Sequence, residues 1–183
     1  DEVREIVERN ERLAREDKKI AEENVRRNED LVRRLRELSR KNVEDNRRLA
    51  KELEEVAARG DSRLDELIEE IERRSEESDR ESRKRLDEIR EESERSDRRS
   101  KEESDKINED SKKLLEEADR RGLSEELKKR VKDSHDKLRE VSKRSEELDR
   151  KSHEDLKEVL KEVRERDDRS HEELRRVLEE VKR

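Results

Sequence analysis

Three copies of one eight-residue segment contain every histidine of the chain. They read SHDKLREV at 134–141, SHEDLKEV at 152–159 and SHEELRRV at 170–177. Serine, histidine and a carboxylate are the residue types of nucleophilic catalysis, and imidazole also binds metals and takes up protons near neutral pH. The spacing of the three copies decides among these chemistries.

Catalysis fits the spacing poorly. Ser134 and His135 are adjacent on a predicted helix, so their side chains diverge by about 100° and cannot form a nucleophile–base pair. A catalytic triad also needs a cleft, and the sequence offers no glycine-lined loop or aromatic wall to build one. We therefore expect no enzymatic activity, no catalytic residue, no cofactor and no small-molecule substrate.

The copies recur with an 18-residue period, which is five whole helical turns. His135, His153 and His171 therefore share one stripe, with about 27 Å between successive rings. This distance disfavours metal binding within one chain, whereas a three-fold assembly could bring three copies of one histidine together in a zinc-like site. Proton uptake is the chemistry that the spacing favours, and it makes these histidines the candidate pH-sensing residues.

The glycines divide the chain into three segments. Gly60 and Gly122 are the only two among 183 residues, and proline is absent. Glycine ends helices, and Asp61 or Ser62, and later Ser124, can cap the helix that follows. Such short connections make neighbouring helices antiparallel, and an 18-residue period keeps them nearly straight. The sequence predicts an all-α, up-down-up bundle of three long helices, about 2–59, 62–121 and 124–182, as one elongated domain over 1–183.

Composition restricts the partners. Charged residues make up 62% of the chain and hydrophobic ones 23%, without aromatics, which is close to a disordered composition. Balanced charge, 53 basic against 60 acidic residues, and strict apolar periodicity favour helices instead. Without a basic stripe, a long apolar run or a cysteine, we expect a soluble protein with no nucleic-acid or membrane partner, no disulfide and no thiolate metal site.

Polar residues interrupt the apolar stripes at the same 18-residue period. In a hairpin around Gly60, level residues of helices 1 and 2 have numbers totalling about 121, and helix 3 is offset from helix 1 by about 125. Amide, hydroxyl and neutral imidazole groups can satisfy one another without water. The predicted layers are Asn10/Ser111/His135, Asn28/Ser93/His153 and Asn46/Ser75/His171, with secondary polar layers at Asn24, Asn42, Ser78, Ser82, Ser96 and Ser100.

The glycine-only loops, the asparagine and serine layers, the aromatic-free Leu/Ile/Val stripes and the Glu/Lys/Arg exterior resemble computationally designed helical bundles with buried hydrogen-bond networks. With histidine in the layers, the chain is similar to designed pH-responsive helical oligomers. The resemblance implies assembly at neutral pH, often as a trimer, and dissociation when His135, His153 and His171 become protonated. A three-helix chain departs from the helical hairpins typical of that group.

We therefore expect pH-regulated self-association into a homo-oligomer, a trimer first, with a filament as an alternative. The inward face of helix 1 is wider than that of helix 2, which predicts that helices 1 and 3 face further copies. The competing expectation is a monomeric structural scaffold whose layers only specify register. Arg59-Gly60-Asp61 spells an integrin-recognition tripeptide, although helix capping accounts for these residues.

Overall fold

The chain folds into three long α-helices, as the sequence predicts. The computed structural model describes residues 2–183 and contains no β-strand within them. The helices are α1 (Glu2–Arg59), α2 (Leu64–Arg120) and α3 (Glu125–Lys182). Leucine, glutamate, lysine and arginine are strong helix formers, and the absence of proline removes the strongest helix breaker. The all-α fold class is confirmed.

Both connections turn at a glycine in the left-handed conformation. Gly60 and Gly122 each have φ of 63°, which costs glycine no Cβ clash. Ser124 Oγ accepts a 3.4 Å hydrogen bond from the Leu127 N–H and caps α3. Asp61 Oδ1 accepts a 3.0 Å bond from the Arg63 N–H. This bond holds residues 61–63 in a turn, so α2 begins at Leu64, slightly later than predicted.

Contacts group the helices into two compact units. The first combines α1 up to Glu29 with Ser93–Asp155 of α2 and α3. Its hydrogen bonds pair Asn10 with Ser111 and Asn28 with Ser93, each pair totalling the predicted 121. Bonds from α1 to α3 span 124 or 125 residues, which also matches the predicted register. The apolar core of this unit consists of Val3, Ile6, Leu114, Ala118 and Val131.

The second unit combines Asp30–Glu92 with α3 from Leu156 onward. The same antiparallel order holds within it, because Ser78 of α2 bonds to Asn42 of α1 and Asn46 of α1 bonds to Ser170 of α3. Two apolar clusters form its core. One contains Leu31, Leu35, Ile89, Leu156, Val159 and Val163, and the other contains Leu53, Ile68, Ile71, Leu174 and Leu178.

Candidate functional site

The three histidines each lie at one height with three other polar side chains that form hydrogen bonds between helices, and we call each set of four a histidine layer. An asparagine comes from α1, a serine from α2 and an adjacent Ser-His pair from α3, because the inward stripes of the three helices carry these residues at one height. The layers are Asn10/Ser111/Ser134/His135, Asn28/Ser93/Ser152/His153 and Asn46/Ser75/Ser170/His171.

The first histidine layer is the most deeply buried. Asn10 Nδ2 donates to Ser134 Oγ at 2.9 Å, and Ser111 Oγ donates to Asn10 Oδ1 at 2.8 Å. Ser111 Oγ also lies 2.7 Å from His135 Nδ1. Each of the four side chains is buried, and His135 is 9% exposed. Every polar atom in these contacts therefore exchanges water for a protein partner, as burial requires.

These bonds define the proton positions on His135. The Ser111 hydroxyl has a single proton, which it donates to Asn10, so His135 Nδ1 is the donor toward Ser111. The neutral ring then carries its proton on Nδ1 and takes up a second proton at Nε2. Protonation leaves the bond to Ser111 in place, and its cost arises from burying a charge rather than from losing a hydrogen bond.

The second histidine layer repeats this arrangement with longer bonds. Asn28 Nδ2 donates to Ser152 Oγ at 2.9 Å. Ser93 Oγ donates to Asn28 Oδ1 at 3.4 Å and lies 3.2 Å from His153 Nδ1. The contacts have the same order as in the first layer, so the network is a repeated unit.

The third histidine layer is less closed. Asn46 Nδ2 donates to Ser170 Oγ at 2.6 Å, and Ser75 Oγ lies 3.3 Å from His171 Nδ1. Asn46 and Ser75, predicted to share this layer, therefore each bond to α3. His171 Nε2 is buried and lacks a hydrogen bond, although Asp79 Oδ1 lies 3.4 Å away. The geometry favours a weak contact with Asp79 over a hydrogen bond.

Two of the serines adjacent to the histidines donate hydrogen bonds to backbone carbonyl groups. Ser134 Oγ donates to the Val131 carbonyl at 2.7 Å, and Ser152 Oγ donates to the Asp149 carbonyl at 3.0 Å. The histidines bond to serines of α2 instead, so neither adjacent pair is arranged as a nucleophile and its base. Within residues 2–183, no three histidine, cysteine or acidic side chains are grouped closely enough to hold a metal ion.

The secondary polar residues surround two aspartates that sequence reasoning missed. We call these clusters aspartate layers, and they consist of Asn24/Ser96/Ser100/Asp149 and Asn42/Ser78/Ser82/Asp167. In the first, Asp149 Oδ1 accepts from Asn24 Nδ2 at 3.2 Å, and Oδ2 accepts from Ser100 Oγ at 3.1 Å. Ser96 Oγ donates to Asn24 Oδ1 at 2.8 Å. This layer satisfies both carboxyl oxygens.

The second aspartate layer satisfies its carboxyl group only in part. Ser82 Oγ donates to Asp167 Oδ2 at 2.7 Å, and Ser78 Oγ donates to Asn42 Oδ1 at 3.0 Å. Asp167 Oδ1 and Asn42 Nδ2 are both buried without a hydrogen bond. Asn42 lies near enough to lower the pKa of Asp167, but the pair lacks the geometry of the Asn24–Asp149 bond.

Asp17 is another buried carboxyl group that the sequence analysis missed. Its side chain is 1% exposed, and neither carboxyl oxygen forms a hydrogen bond. Ser104 and Ser142 lie near enough to lower its pKa. However, Ser104 Oγ is itself unpartnered, and Ser142 Oγ accepts a 2.8 Å bond from Asn108 Nδ2. Asp17 is therefore the least satisfied buried polar group of the first unit.

Burial shifts the pKa values of these groups in opposite directions. It raises the pKa of Asp17, Asp149 and Asp167, against the opposing effect of nearby serine and asparagine groups. It lowers the pKa of His135, with a further decrease from Arg139 and an opposing effect of Asp136. Desolvation disfavours the charged form in every case. Burial therefore favours the uncharged forms of these three aspartates and of His135.

Comparisons with known proteins support the fold. A solved structure described as a "Computationally designed three helix bundle" is similar to this chain with a TM-score of 0.69 and 17% sequence identity. The match covers 99% of this chain and 93% of that one. No protein-family model matches the chain, and no curated protein sequence matches it. Within residues 2–183, none of the helices has an apolar stretch long enough to cross a bilayer.

Proposed function

We propose that the chain is a designed, non-enzymatic scaffold whose buried layers fix the register of three helices and make its stability depend on pH. The designed three-helix bundle of similar fold supports this origin. So does the sequence, with its 18-residue repeats and its glycine-only turns. The main functional consequence is a structural response to protons rather than the conversion of a substrate.

The observation that carries this proposal is the recurrence of one network. Asn10, Asn28 and Asn46 each donate to a serine of α3, and each adjacent histidine contacts a serine of α2. A polar layer penalises misaligned pairing, because displaced partners leave buried donors and acceptors unpaired. Three such layers favour one alignment of the helices.

His135 supplies the acid-sensitive part of the proposal. Its pKa lies below the ordinary value of 6.5 because burial disfavours the imidazolium ion. The unfolded chain therefore takes up a proton at higher pH than the folded chain. Stability is complete above about pH 6.5 and declines as the pH falls from there toward the folded-state pKa of His135.

The buried carboxyl groups act in the opposite direction. The pKa values of Asp17, Asp149 and Asp167 lie above the ordinary 3.8, so these groups bind a proton more readily in the folded chain. Stability linked to them increases as the pH falls toward 3.8. Acidification therefore weakens the first histidine layer through His135 while it relieves these aspartates, and the balance sets the pH response.

We place the monomeric scaffold ahead of the homo-oligomer. Among residues 2–183, Leu148 of α3, at 52%, is the one large apolar side chain that is exposed. A single leucine is a small apolar contribution to an interface, since stable interfaces bury about 800 Å² per partner. A homo-oligomer that dissociates in acid, a trimer or a filament, is the second candidate, and Leu148 is the residue that favours it.

Light scattering coupled to size-exclusion chromatography, at about pH 7.4 and about pH 5, tests both candidates. A monomer mass at both pH values supports the scaffold, provided that guanidinium unfolding also gives a lower free energy of unfolding in acid. A multiple of that mass at neutral pH and a monomer in acid supports the oligomer. The control is the variant His135/His153/His171→Asn, which keeps polar layers but cannot titrate. An unchanged response of that variant would refute the histidine-based mechanism.

A further inference from the structure

The first 18-residue repeat of α1 exchanges a polar and an apolar residue relative to the later two at two inward positions. Asn24 and Asn42 belong to the aspartate layers, but the matching position in the first repeat holds Ile6. Leu35 and Leu53 are fully buried in apolar clusters, but the matching position in the first repeat holds Asp17. One polar and one apolar position are thus exchanged.

The other two helices carry the same exchange. Counting by 18, the residues Leu114, Ala118 and Val131 match Ser96, Ser100 and Asp149. They pack with Ile6 in the apolar core of the first unit. An apolar layer therefore stands where the following repeats have an aspartate layer.

The layer around Asp17 shows the reverse replacement. Ser104 and Ser142 match Leu86 and Leu160 of the second repeat, which pack against the apolar cluster that contains Leu35. In the third repeat, the matching residues Ile68 and Leu178 pack in one cluster with Leu53. All three helices thus change from apolar to polar together at the Asp17 layer.

Two other kinds of layer do not distinguish the repeats. Each repeat has one histidine layer of the same residue types. Each also has one apolar layer of the same types, namely Leu13/Ile107/Leu138, Leu31/Ile89/Leu156 and Leu49/Ile71/Leu174. If every layer repeated in this way, helices displaced by one full repeat would find matching partners wherever they overlapped. The exchanged layers remove this degeneracy.

We propose that the exchanged Ile6 and Asp17 layers exclude pairing between copies of this chain in which helices are displaced by one full repeat. The partner they discriminate against is a second copy of the chain. This inference deepens the register role proposed above, and it is independent of the response to pH.

Displacement in one direction places Asn24 against Leu114, Ala118 and Val131. Its amide then loses the bonds to Ser96 and Asp149 and finds only apolar side chains. Displacement in the other direction places Asp17 against Leu86 and Leu160, where no hydroxyl group is available. A buried polar group without a partner disfavours the assembly in which it occurs.

The exchange matters most between molecules. Within one chain, the turns at residues 60–63 and 121–124 are too short to permit displacement by a full repeat. Helices of different copies have no such tether, and staggered pairing leaves overhanging ends that can recruit further copies. A fully periodic chain would therefore form open-ended assemblies, whereas the exchanged layers favour fully aligned helices.

The test is a variant whose first repeat copies the second. It carries Ile6→Asn, Leu114→Ser, Ala118→Ser, Val131→Asp, Asp17→Leu, Ser104→Leu and Ser142→Leu. Parent and variant are refolded by dilution at high protein concentration and neutral pH, and their masses are compared by light scattering with circular dichroism as a check on helicity. We expect the fraction of chains in species larger than the parent to rise severalfold.

The matched control makes the reverse seven changes in the third repeat. It carries Asn42→Ile, Ser78→Leu, Ser82→Ala, Asp167→Val, Leu53→Asp, Ile68→Ser and Leu178→Ser. Displacement by one repeat is then mismatched both where the first repeat meets the second and where the second meets the third. We expect this control to keep the parent's mass. The proposal is overturned if the periodic variant keeps the parent's mass or if both variants enlarge equally. If the periodic variant does not refold, Asp17→Leu/Ser104→Leu/Ser142→Leu decides, and a parent-like mass for it overturns the proposal.

Discussion

His135 donates a hydrogen bond from Nδ1 to Ser111 Oγ over 2.7 Å, because the hydroxyl proton of Ser111 is already directed to Asn10. Acid therefore adds its proton at Nε2 without breaking this contact. A loss of stability in acid could come either from breaking this hydrogen bond or from burying a charged imidazolium. Because the bond is kept, the buried charge is the cause. It follows that removing the charge, rather than the hydrogen bond, should remove the pH dependence.

The first prediction concerns His135→Asn. The parent should lose free energy of unfolding as the pH falls below about 6.5, by at most about 1.4 kcal/mol per pH unit for this residue, because its folded-state pKa is lowered. The variant should lack this slope. Guanidinium unfolding followed by circular dichroism at several pH values measures this pH dependence of the free energy of unfolding. His153→Asn, the same substitution in the second histidine layer, serves as the comparison. A slope in His135→Asn equal to that of the parent would contradict the assignment.

The second prediction concerns Asp17→Leu, which places the residue of the second repeat in the first. Near neutral pH, stability should rise by about 1–3 kcal/mol, the typical cost of a buried polar group without a partner. The gain should shrink as the pH falls toward 3.8, because protonation relieves the parent. Denaturant titrations measure both effects, and Asp17→Asn serves as the uncharged control. A loss of stability in Asp17→Leu would mean that the carboxyl group is satisfied.

The third prediction concerns Asn28→Leu. The fold should stay as stable or become more so, because Ser93 keeps its contact with His153 and Ser152 keeps its bond to the Asp149 carbonyl. Each of the two serines keeps one hydrogen-bonded contact, and a buried apolar side chain is gained. Register or partner specificity should weaken instead, which a broader mass distribution after refolding would reveal. Unfolding of this variant would show that the second histidine layer is essential to the core.

The fourth prediction concerns Gly122→Ala. A Cβ at this position meets no atom within 4 Å, but φ is 63°. Only the left-handed backbone therefore opposes the substitution, at a cost of about 1–2 kcal/mol. Thermal unfolding of the variant measures the loss, and Gly60→Ala should show a similar one. An unchanged melting temperature would indicate that the turn can adopt another conformation.

The helices and their register could be predicted because several independent features of the sequence point to the same alignment. Gly60 and Gly122 set the segment lengths, and Asn10, Ser111 and His135 coincide in height on three helices independently of the period. The predicted start of the second helix was less accurate, because the turn held by Asp61 makes α2 begin at Leu64. Oligomeric state and the pH response stay predictions.

The sequence analysis missed the aspartates of the layers because, in a chain this rich in charged residues, an aspartate does not by itself indicate burial. Charged residues form 62% of the chain, so the half-buried Asp149 resembles any aspartate of the solvated face. Two signals were nevertheless present: Asp149 and Asp167 are separated by one 18-residue period, and each lies 125 residues after Asn24 or Asn42. Asp17 lies on the inward stripe of α1, but only comparison with Leu35 and Leu53 reveals it as an exception.

The open turns at Gly60 and Gly122 have a consequence for how the chain is connected. Because a Cβ added at either glycine would meet no atom within 4 Å, the turns are open, and they serve as tethers that raise the effective concentration of each helix near the others. Cutting the chain at residue 60 would leave the layers and clusters intact but convert folding into an association of two pieces. Stability would then depend on protein concentration. The polar and apolar layers set the alignment of the helices, and the continuous backbone only keeps the helices close to one another.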